Sequence, residues 1–391
     1  MKTDSLHLFI CVESLGWAEV LRRSFLEDLL PYRASCDTFL GNSLACNASI
    51  LTGATPAQHG HFARFVYDPE HSPFRWARQM SWVPEPLASS GLFRGRLSRL
   101  VAARNGYSGD FQLHRFPFSN LPWFDCAEKR DICVPGGING GQRTIFEEWE
   151  DCGLAWFRSE RSTGDADNLE ALRDEIDRGE IRLAWLLSGS LDSVMHGSTT
   201  SSPETDAAFA ALERTIRDLH MLAQSRYREV HLHIFGNHGM TDIRGLSSMM
   251  TDFLDAGFVF PRDYAAVWDL TMARFWFPGG DAIREHICDW LRLRPEGRIL
   301  TPAELSAWGC DFPHRRYGDI IFLLESGTLL APSFVSRSGF RAMHDFNPSD
   351  PDSRACWLTT HPCENPPVRI DEIHRVMLTS AAALSDPSTA C

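Results

Sequence analysis

The sequence lacks three features, each of which is typical of a different class of protein. These are a long apolar run, a Cys-x-x-Cys pair and a surplus of basic side chains. Without a run of roughly 20 apolar residues, no segment predicts a membrane-spanning helix. The 38 basic and 51 acidic side chains leave a net charge of −13. This balance argues against nucleic acid as the main partner, because phosphate backbones are bound by positively charged surfaces. We therefore expect neither a membrane nor a nucleic acid among the partners.

The 11 cysteines follow no disulfide framework, since their number is odd and their spacing irregular. Several lie in apolar runs, as Cys11, Cys46 and Cys288 do, which favours buried, reduced thiols. The first residues run almost at once into a strand-like segment. They lack the long apolar region and small-residue cleavage site of a secretory signal. These observations predict a cytoplasmic protein.

Buried-strand patterns alternate with helical patterns along the chain. The 391 residues, 43% of them hydrophobic, suffice for a large core in one elaborated domain, 1–391. Strands are predicted at Leu6–Val12, Ile181–Leu187 and Glu229–Phe235, and helices at Trp17–Leu30 and 203–222. This alternation predicts an α/β fold, a three-layer α/β/α sandwich around a mainly parallel sheet.

Two regions depart from this alternation. Residues 60–140 are irregular and rich in aromatic residues, proline and glycine, and residues 255–340 mix strands with a single helix. We expect both to be inserted cap segments that help to determine substrate specificity.

Polar residues of one chemical type follow the predicted strands. In α/β sheets, ligands bind beyond the carboxyl ends of the strands. Carboxylate and imidazole groups, which suit zinc and its neighbours, occur there in four separate segments. These residues are Glu13, Asp192, His196, Asn237, His238 and His344. A single Asp or His in a loop is most often structural, but four such segments in order favour a metal site.

Ser43 adds a hydroxyl at the start of a predicted helix, Leu44–Thr52. Free N–H groups and the helix dipole favour an anion or an incipient alkoxide at such a position. Ser49 lies on the same helix, and we interpret it as a packing residue.

The motifs, taken in order, resemble the alkaline phosphatase superfamily, and most closely its nucleotide pyrophosphatase/phosphodiesterase branch. The most specific signals are the block Ser49-Ile-Leu-Thr-Gly-x-x-Pro-x-x-His-Gly60 and the segment Met343–Arg354. The resemblance extends from Leu6 to about Thr359.

This resemblance implies a metal-dependent hydrolase of phosphate esters, of the phosphodiesterase or pyrophosphatase type. It implies two divalent metal ions, zinc first, with manganese and iron as alternatives. The residues matching one complete metal site are Asp192, His196 and His344, and those at the position of the second are Glu13, Asn237 and His238. Ser43 falls where the family places its nucleophile, ten residues before Gly53.

The sequence departs from the family pattern twice, both times in the second site. Glu13 and Asn237 stand where the family has aspartates, so one negative charge is lost and the second metal ion should bind more weakly. Three outcomes are open: a two-metal enzyme, a one-metal enzyme, or a degenerate, non-catalytic relative that binds an anionic ligand.

The substrate is expected to be a small, anionic, phosphate-containing molecule. Phe62 and Arg64 follow the Ser43 helix and could cover its non-reacting group, although ordinary packing of the cap is an equal alternative. We expect phosphodiesters rather than monoesters, because no pocket of Lys and Arg can be read near Ser43.

Overall fold

A six-stranded sheet forms the centre of the computed structural model, which describes residues 3–80, 90–109, 111–113 and 115–385. The strands of this sheet are β1 (Thr3–Val12), β2 (Tyr32–Cys36), β5 (Trp156–Arg158), β6 (Leu183–Ser188), β7 (Tyr227–Gly236) and β16 (Ala355–Thr359). Their order is β2-β16-β7-β1-β6-β5. Strand β16 alone runs in the direction opposite to the other five. The predicted α/β fold with a mainly parallel sheet is confirmed.

The remaining strands are short or lie in the two segments predicted as insertions. They are β3 (Phe65–Tyr67), β4 (Phe124–Cys126), β8 (Thr241–Asp242), β9 (Gly245–Ser247), β10 (Ala265–Trp268), β11 (Met272–Trp276), β12 (Gly297–Ile299), β13 (Ile320–Leu324), β14 (Thr328–Leu330) and β15 (Ala342–Met343). Strands β10, β11, β13 and β12 form an antiparallel sheet in that order.

Twelve α-helices lie in the described part of the chain. They are α1 (Trp17–Arg23), α2 (Ser43–Thr52), α3 (Pro56–His59), α4 (Gly91–Asn105), α5 (Ile145–Asp151), α6 (Asp165–Arg178), α7 (Ser190–Gly197), α8 (Pro203–Arg226), α9 (Met249–Asp255), α10 (Asp281–Arg292), α11 (Pro302–Ala307) and α12 (Ile373–Leu384). The helix predicted at Trp17–Leu30 is too long. Ser24 and Leu26 have left-handed backbone angles, φ of 48° and 49°, which end it after Arg23.

Helices cover both faces of the central sheet, because alternate side chains of each strand point to opposite faces. Leu8 and Ile10 of β1 belong to one core, which includes residues of α1, α6, α7 and α8. Phe9 and Cys11 belong to a second core, which includes residues of α2, α5 and α12. These two cores make the three layers of the sandwich.

Aromatic residues of the two segments predicted as insertions share a further core. Phe74 and Phe116 come from 60–140, whereas Phe275 and Phe322 come from 255–340. All four are almost completely buried. The segments therefore fold against each other, although residues 81–89, 110 and 114 of the first one lie outside the described residues.

Nine of the described cysteines are free thiols, and eight of these are buried. These nine agree with the prediction of reduced thiols, and Cys391 lies outside the described residues. The cytoplasmic location stays a prediction. None of the helices in the described ranges combines the length and apolar character needed to cross a bilayer.

Two buried histidines pair across the central strands. His7 Nδ1 of β1 lies 3.2 Å from His233 Nε2 of β7, and Thr359 Oγ1 lies 3.3 Å from His233 Nδ1. Burial, reinforced by neighbouring histidines, lowers the pKa of His7 to about 3 and holds the pKa of His233 well below its usual range. Both imidazoles are therefore neutral in the folded protein at pH 5.5 to 7.5.

Acidification should consequently destabilise the fold. Unfolded histidines take up protons below pH 6.5 while folded His7 and His233 do not, so stability is lost as pH falls. Between pH 7.5 and 5.5 the pair should remove about 2–3 kcal/mol from the free energy of unfolding. Urea unfolding at the two pH values measures this loss. His7→Gln should remove about half of it, and an unchanged pH dependence in the variant would contradict the assignment.

Candidate active site

The predicted site residues meet at the carboxyl ends of the parallel strands. Glu13 follows β1, Asn237 and His238 follow β7, and His344 follows β15. Helix α7, which comes after β6, carries Asp192 and His196. A cleft of about 340 Å³ is lined by Glu13, Ser43, Asp192, His196 and His344 among others.

Two glycines allow the loops of this site to approach one another. A Cβ at Gly236, the last residue of β7, would lie 2.2 Å from the Leu15 carbonyl oxygen. A Cβ at Gly239 would lie 1.9 Å from the Asp352 carbonyl oxygen. A side chain at Gly236 would push away the loop that follows Glu13, and one at Gly239 would push the segment around Asp352 away from His238.

Asp192, His196 and His344 form a compact set of metal-ligand groups. One ligand atom from each lies within 4.8 Å of the others. Asp192 and His196 are four residues apart on α7, which places them on one helix face. Asp192 Oδ2 is 3.3 Å from His196 Nε2, and Asp192 Oδ1 is 3.7 Å from His344 Nε2. The Ala342 carbonyl lies 3.0 Å from His196 Nδ1 and so directs Nε2 towards the carboxylate.

Charges in this set are strongly coupled. Burial opposes ionisation of Asp192, but a hydrogen bond from His196 and the positive charge of His344 outweigh it and lower the pKa of Asp192. Burial likewise opposes protonation of His344, but the charge and hydrogen bond of Asp345, together with Asp192, raise the pKa of His344 to about 9. An ionised carboxylate surrounded by imidazoles is a donor set that suits a divalent cation.

Ser43 is the first residue of α2, and its hydroxyl lies next to two histidines. Its Oγ is 2.9 Å from His238 Nε2 and 3.4 Å from His344 Nε2. Asn42 caps the helix by accepting a hydrogen bond from the Ala45 N–H. The hydroxyl therefore sits at the positive end of the helix dipole, beside the Asp192 set.

His238 is arranged to accept a hydrogen bond from Ser43. Its Nδ1 lies 3.0 Å from the Gly239 carbonyl oxygen, which requires a proton on Nδ1 and leaves Nε2 as the acceptor. Burial and the charge of His344 lower the pKa of His238 to about 3. The neutral ring thus orients the Ser43 hydroxyl.

Glu13 and Asn237 are held by a chain of amide hydrogen bonds. Glu13 Oε1 accepts from Asn47 Nδ2 at 3.0 Å, and Asn47 Oδ1 accepts from Asn237 Nδ2 at 3.1 Å. Asn237 Oδ1 accepts from the Ser14 N–H at 3.2 Å. Burial, followed by the negative charge of Asp192, raises the pKa of Glu13. The amide of Asn237 is thus used on both sides by protein groups.

Three contributors were missed in the sequence. Ser14 Oγ donates to Asp192 Oδ1 at 2.5 Å, Asn47 links Glu13 to Asn237, and Arg161 lines the cleft beside Glu13. Asn47 lies in the Ser43 helix and Ser14 is next to Glu13, so position could have suggested both. Arg161 follows β5, far along the chain, and no sequence signal marks it.

The two predicted substrate residues differ in their environment. Arg64 and Phe62 both line the cleft. Phe62 has no exposed surface, and its ring packs 5.0 Å from Phe312 and 5.3 Å from Tyr317, measured between centroids. Its packing role is therefore evident, whereas a substrate role for either residue stays a prediction.

The three-layer fold and the order of the site residues identify the protein as a member of the alkaline phosphatase superfamily. Residues 38–286 match the family model of type I phosphodiesterase/nucleotide pyrophosphatase, so the chain belongs to that family. Phosphate ester hydrolysis is the activity class of this family. No curated protein sequence matches the chain significantly.

Solved structures show the same fold at low sequence identity. Human ectonucleotide pyrophosphatase/phosphodiesterase 5 superposes with a TM-score of 0.67 at 13% identity, over 99% of this chain and 96% of that one. The murine protein gives 0.66 at 12% identity, over 98% and 95%. An inactive murine variant in complex with AMP gives 0.66 at 12% identity, over 97% and 95%.

Asn237→Asp should lower the melting temperature of the metal-free protein and increase the rise in melting temperature that zinc causes. One oxygen of the new carboxylate would face Asn47 Oδ1 without a proton between them, costing about 1–3 kcal/mol of stability. A cation held with Glu13 would remove this repulsion. Melting temperatures in EDTA and in zinc measure both effects.

The matched control is Asn168→Asp in the segment before β6. It removes a buried amide group, Asn168 Nδ2, which donates to the carbonyl oxygens of Glu160 and Thr163. It should lower the melting temperature equally in EDTA and in zinc. If Asn237→Asp behaves in the same way as this control, the second site does not gain a metal ion from the added carboxylate.

Proposed function

We propose that the protein is a metal-dependent phosphodiesterase in which Ser43 attacks the phosphorus of a nucleotide-type ester. The observation that carries the proposal is the position of the Ser43 hydroxyl. It lies at a helix N-terminus, 2.9 Å from an unprotonated imidazole nitrogen of His238 and beside the carboxylate–histidine set of Asp192. This arrangement suits nucleophilic catalysis on an anionic substrate.

Asp192, His196 and His344 would hold the tightly bound metal ion. Two imidazoles and one carboxylate fit zinc, with manganese and iron as alternatives, and leave a position for a substrate oxygen. A bound divalent ion would lower the pKa of a serine hydroxyl and neutralise charge on the phosphoryl group. Asp345 supports the set by fixing His344 through its Nδ1.

The chain's own groups then orient the nucleophile and stabilise charge. His238 Nε2 accepts the Ser43 hydrogen bond, which turns a lone pair of Oγ towards the cleft. The start of α2 stabilises negative charge on Oγ and on the phosphoryl oxygens. Attack forms a Ser43–phosphate ester and expels the alcohol, and water then cleaves that ester to free Ser43.

The cleft supports an anionic organic substrate. Arg64 and Arg161 both line it, and a guanidinium binds phosphate oxygens in a bidentate manner. The diester preference was based on an expected lack of basic residues near Ser43. Because two arginines line the same cleft as Ser43, that expectation is wrong. That preference now depends on family membership, and the AMP complex of the murine relative supports a nucleotide-like group.

A form with a single metal ion is the second candidate. Both sides of the Asn237 amide already bond to Ser14 and Asn47, and Glu13 already bonds to Asn47. A cation at this second position would have to compete with these hydrogen bonds and with the one that His238 Nε2 accepts from Ser43. We therefore propose that Glu13, Asn237 and His238 bind a second ion more weakly than the Asp192 set binds the first.

Ser43→Ala should abolish hydrolysis while the Asp192 set still binds metal. Loss of the nucleophile should lower kcat by about three to six orders of magnitude. Turnover of bis(p-nitrophenyl) phosphate and p-nitrophenyl phosphate measures this, with metal content determined on the same samples. The matched control is Ser49→Ala on the same helix, where the lost partner is the buried His59.

The control should keep its activity, since Ser49 faces away from the cleft towards His59. Retained hydrolysis in Ser43→Ala would show that another group attacks phosphorus. If the folded, metal-loaded wild-type protein hydrolyses neither substrate, the enzyme proposal fails for these substrates.

Arg161→Ala should raise KM for the diester by about 10- to 100-fold, because a hydrogen bond to a charged group contributes about 1.5–3 kcal/mol. Steady-state kinetics on bis(p-nitrophenyl) phosphate provide the measurement. Arg226→Ala is the control, since Arg226 pairs with Asp177 on the surface. An unchanged KM in Arg161→Ala would remove Arg161 from substrate binding.

A further inference from the structure

We propose that Glu229, His231 and His361 form a second transition-metal site at the amino-terminal end of the central sheet, apart from the candidate active site. Among the described residues, two sets bring three ligand atoms within 4.8 Å of one another: the Asp192 set and this one. The site combines two imidazoles and a carboxylate, which suits zinc, cobalt, nickel and copper rather than magnesium or calcium.

Strand pairing places the three residues on one face. Thr359 of β16 is opposite His233 of β7 in an antiparallel pair, so His361 falls opposite His231. The Thr360 N–H continues this pairing by donating to the Leu232 carbonyl at 3.1 Å. Glu229 precedes His231 by two residues on the same strand, which places both side chains on the same face of the sheet.

The distances lie close to those of a metal site. Glu229 Oε1 is 3.2 Å from His231 Nε2 and 3.9 Å from His361 Nε2. Metal–ligand bonds of about 2.0–2.2 Å in a tetrahedron place neighbouring ligand atoms about 3.3 Å apart. The His361 side chain is 41% exposed and that of Glu229 is 57% exposed. Both can therefore move the short remaining distance, and water can complete the coordination.

The surroundings favour a cation once the ligands are in place. The His231 ring stacks on His7, with centroids 4.2 Å apart, and contacts His361 at 4.1 Å, so its orientation is fixed from behind. The fixed ring presents its Nε2 to the Glu229 carboxylate at 3.2 Å.

This site cannot share an ion with the active site. His231 precedes His238 by seven residues along an extended strand, which corresponds to roughly 20 Å. A bound ion would instead join β7 to β16, whose far ends lead to the segments carrying His238 and His344. It would stabilise the sheet without contacting the substrate.

Zinc stoichiometry measures the site directly. Wild-type protein, freed of metal and titrated with zinc by calorimetry, should bind one ion more than His361→Ala and than Glu229→Gln. Zinc should also raise the melting temperature of both variants less than that of the wild type. The matched control is His71→Ala, which removes an exposed histidine that pairs with Asp68 at 3.0 Å.

The control should bind as many zinc ions as the wild type. Hydrolysis by His361→Ala, with the active site loaded, should equal that of the wild type, which separates this proposal from the proposed function. Two variants and melting curves in EDTA distinguish a lost ligand from a lost fold. The proposal is overturned if folded His361→Ala and Glu229→Gln both bind the wild-type number of ions with affinities within twofold.

Discussion

The parallel register of β1 between β6 and β7 is the constraint on which the site depends. Ile10 lies opposite Leu186 on one side and Ile234 on the other, so the three strands end at the same level. Each strand then delivers its polar residues to one edge of the sheet. A shift of one residue in β1 would exchange its two buried faces and carry Glu13 away from the neighbouring loops. The two apolar cores therefore hold the candidate active site together.

Burial and charge compete throughout that edge. Burial alone would favour neutral forms of Asp192 and His344, yet each ionises because the other, with His196 and Asp345, offsets the cost. His238 has a weaker set of carboxylate neighbours and stays neutral, which suits it to accept a hydrogen bond from Ser43. The two histidines next to Ser43, His238 and His344, are thus in opposite protonation states.

At position 237, the neutral amide of an asparagine stands where the family pattern has a charged aspartate. Asn237 donates to Asn47 and accepts from Ser14, so its two polar atoms satisfy neighbours that a carboxylate could satisfy only in part. The uncharged amide of Asn237 is therefore part of a hydrogen-bond chain that ends on Glu13. At the amino-terminal end of the same sheet, His231 and His361 form a second pair of neighbouring imidazoles.

Local pattern determined the three central strands, the helix after Ser43 and the order of the candidate metal-ligand residues, because apolar runs and motif spacing act over a few residues. Only the tertiary structure decided what depends on contacts between distant segments. It ended α1 at Arg23, brought Arg161 into the cleft and placed His361 opposite His231. These outcomes depend on packing, strand pairing and burial, which no local stretch of sequence encodes.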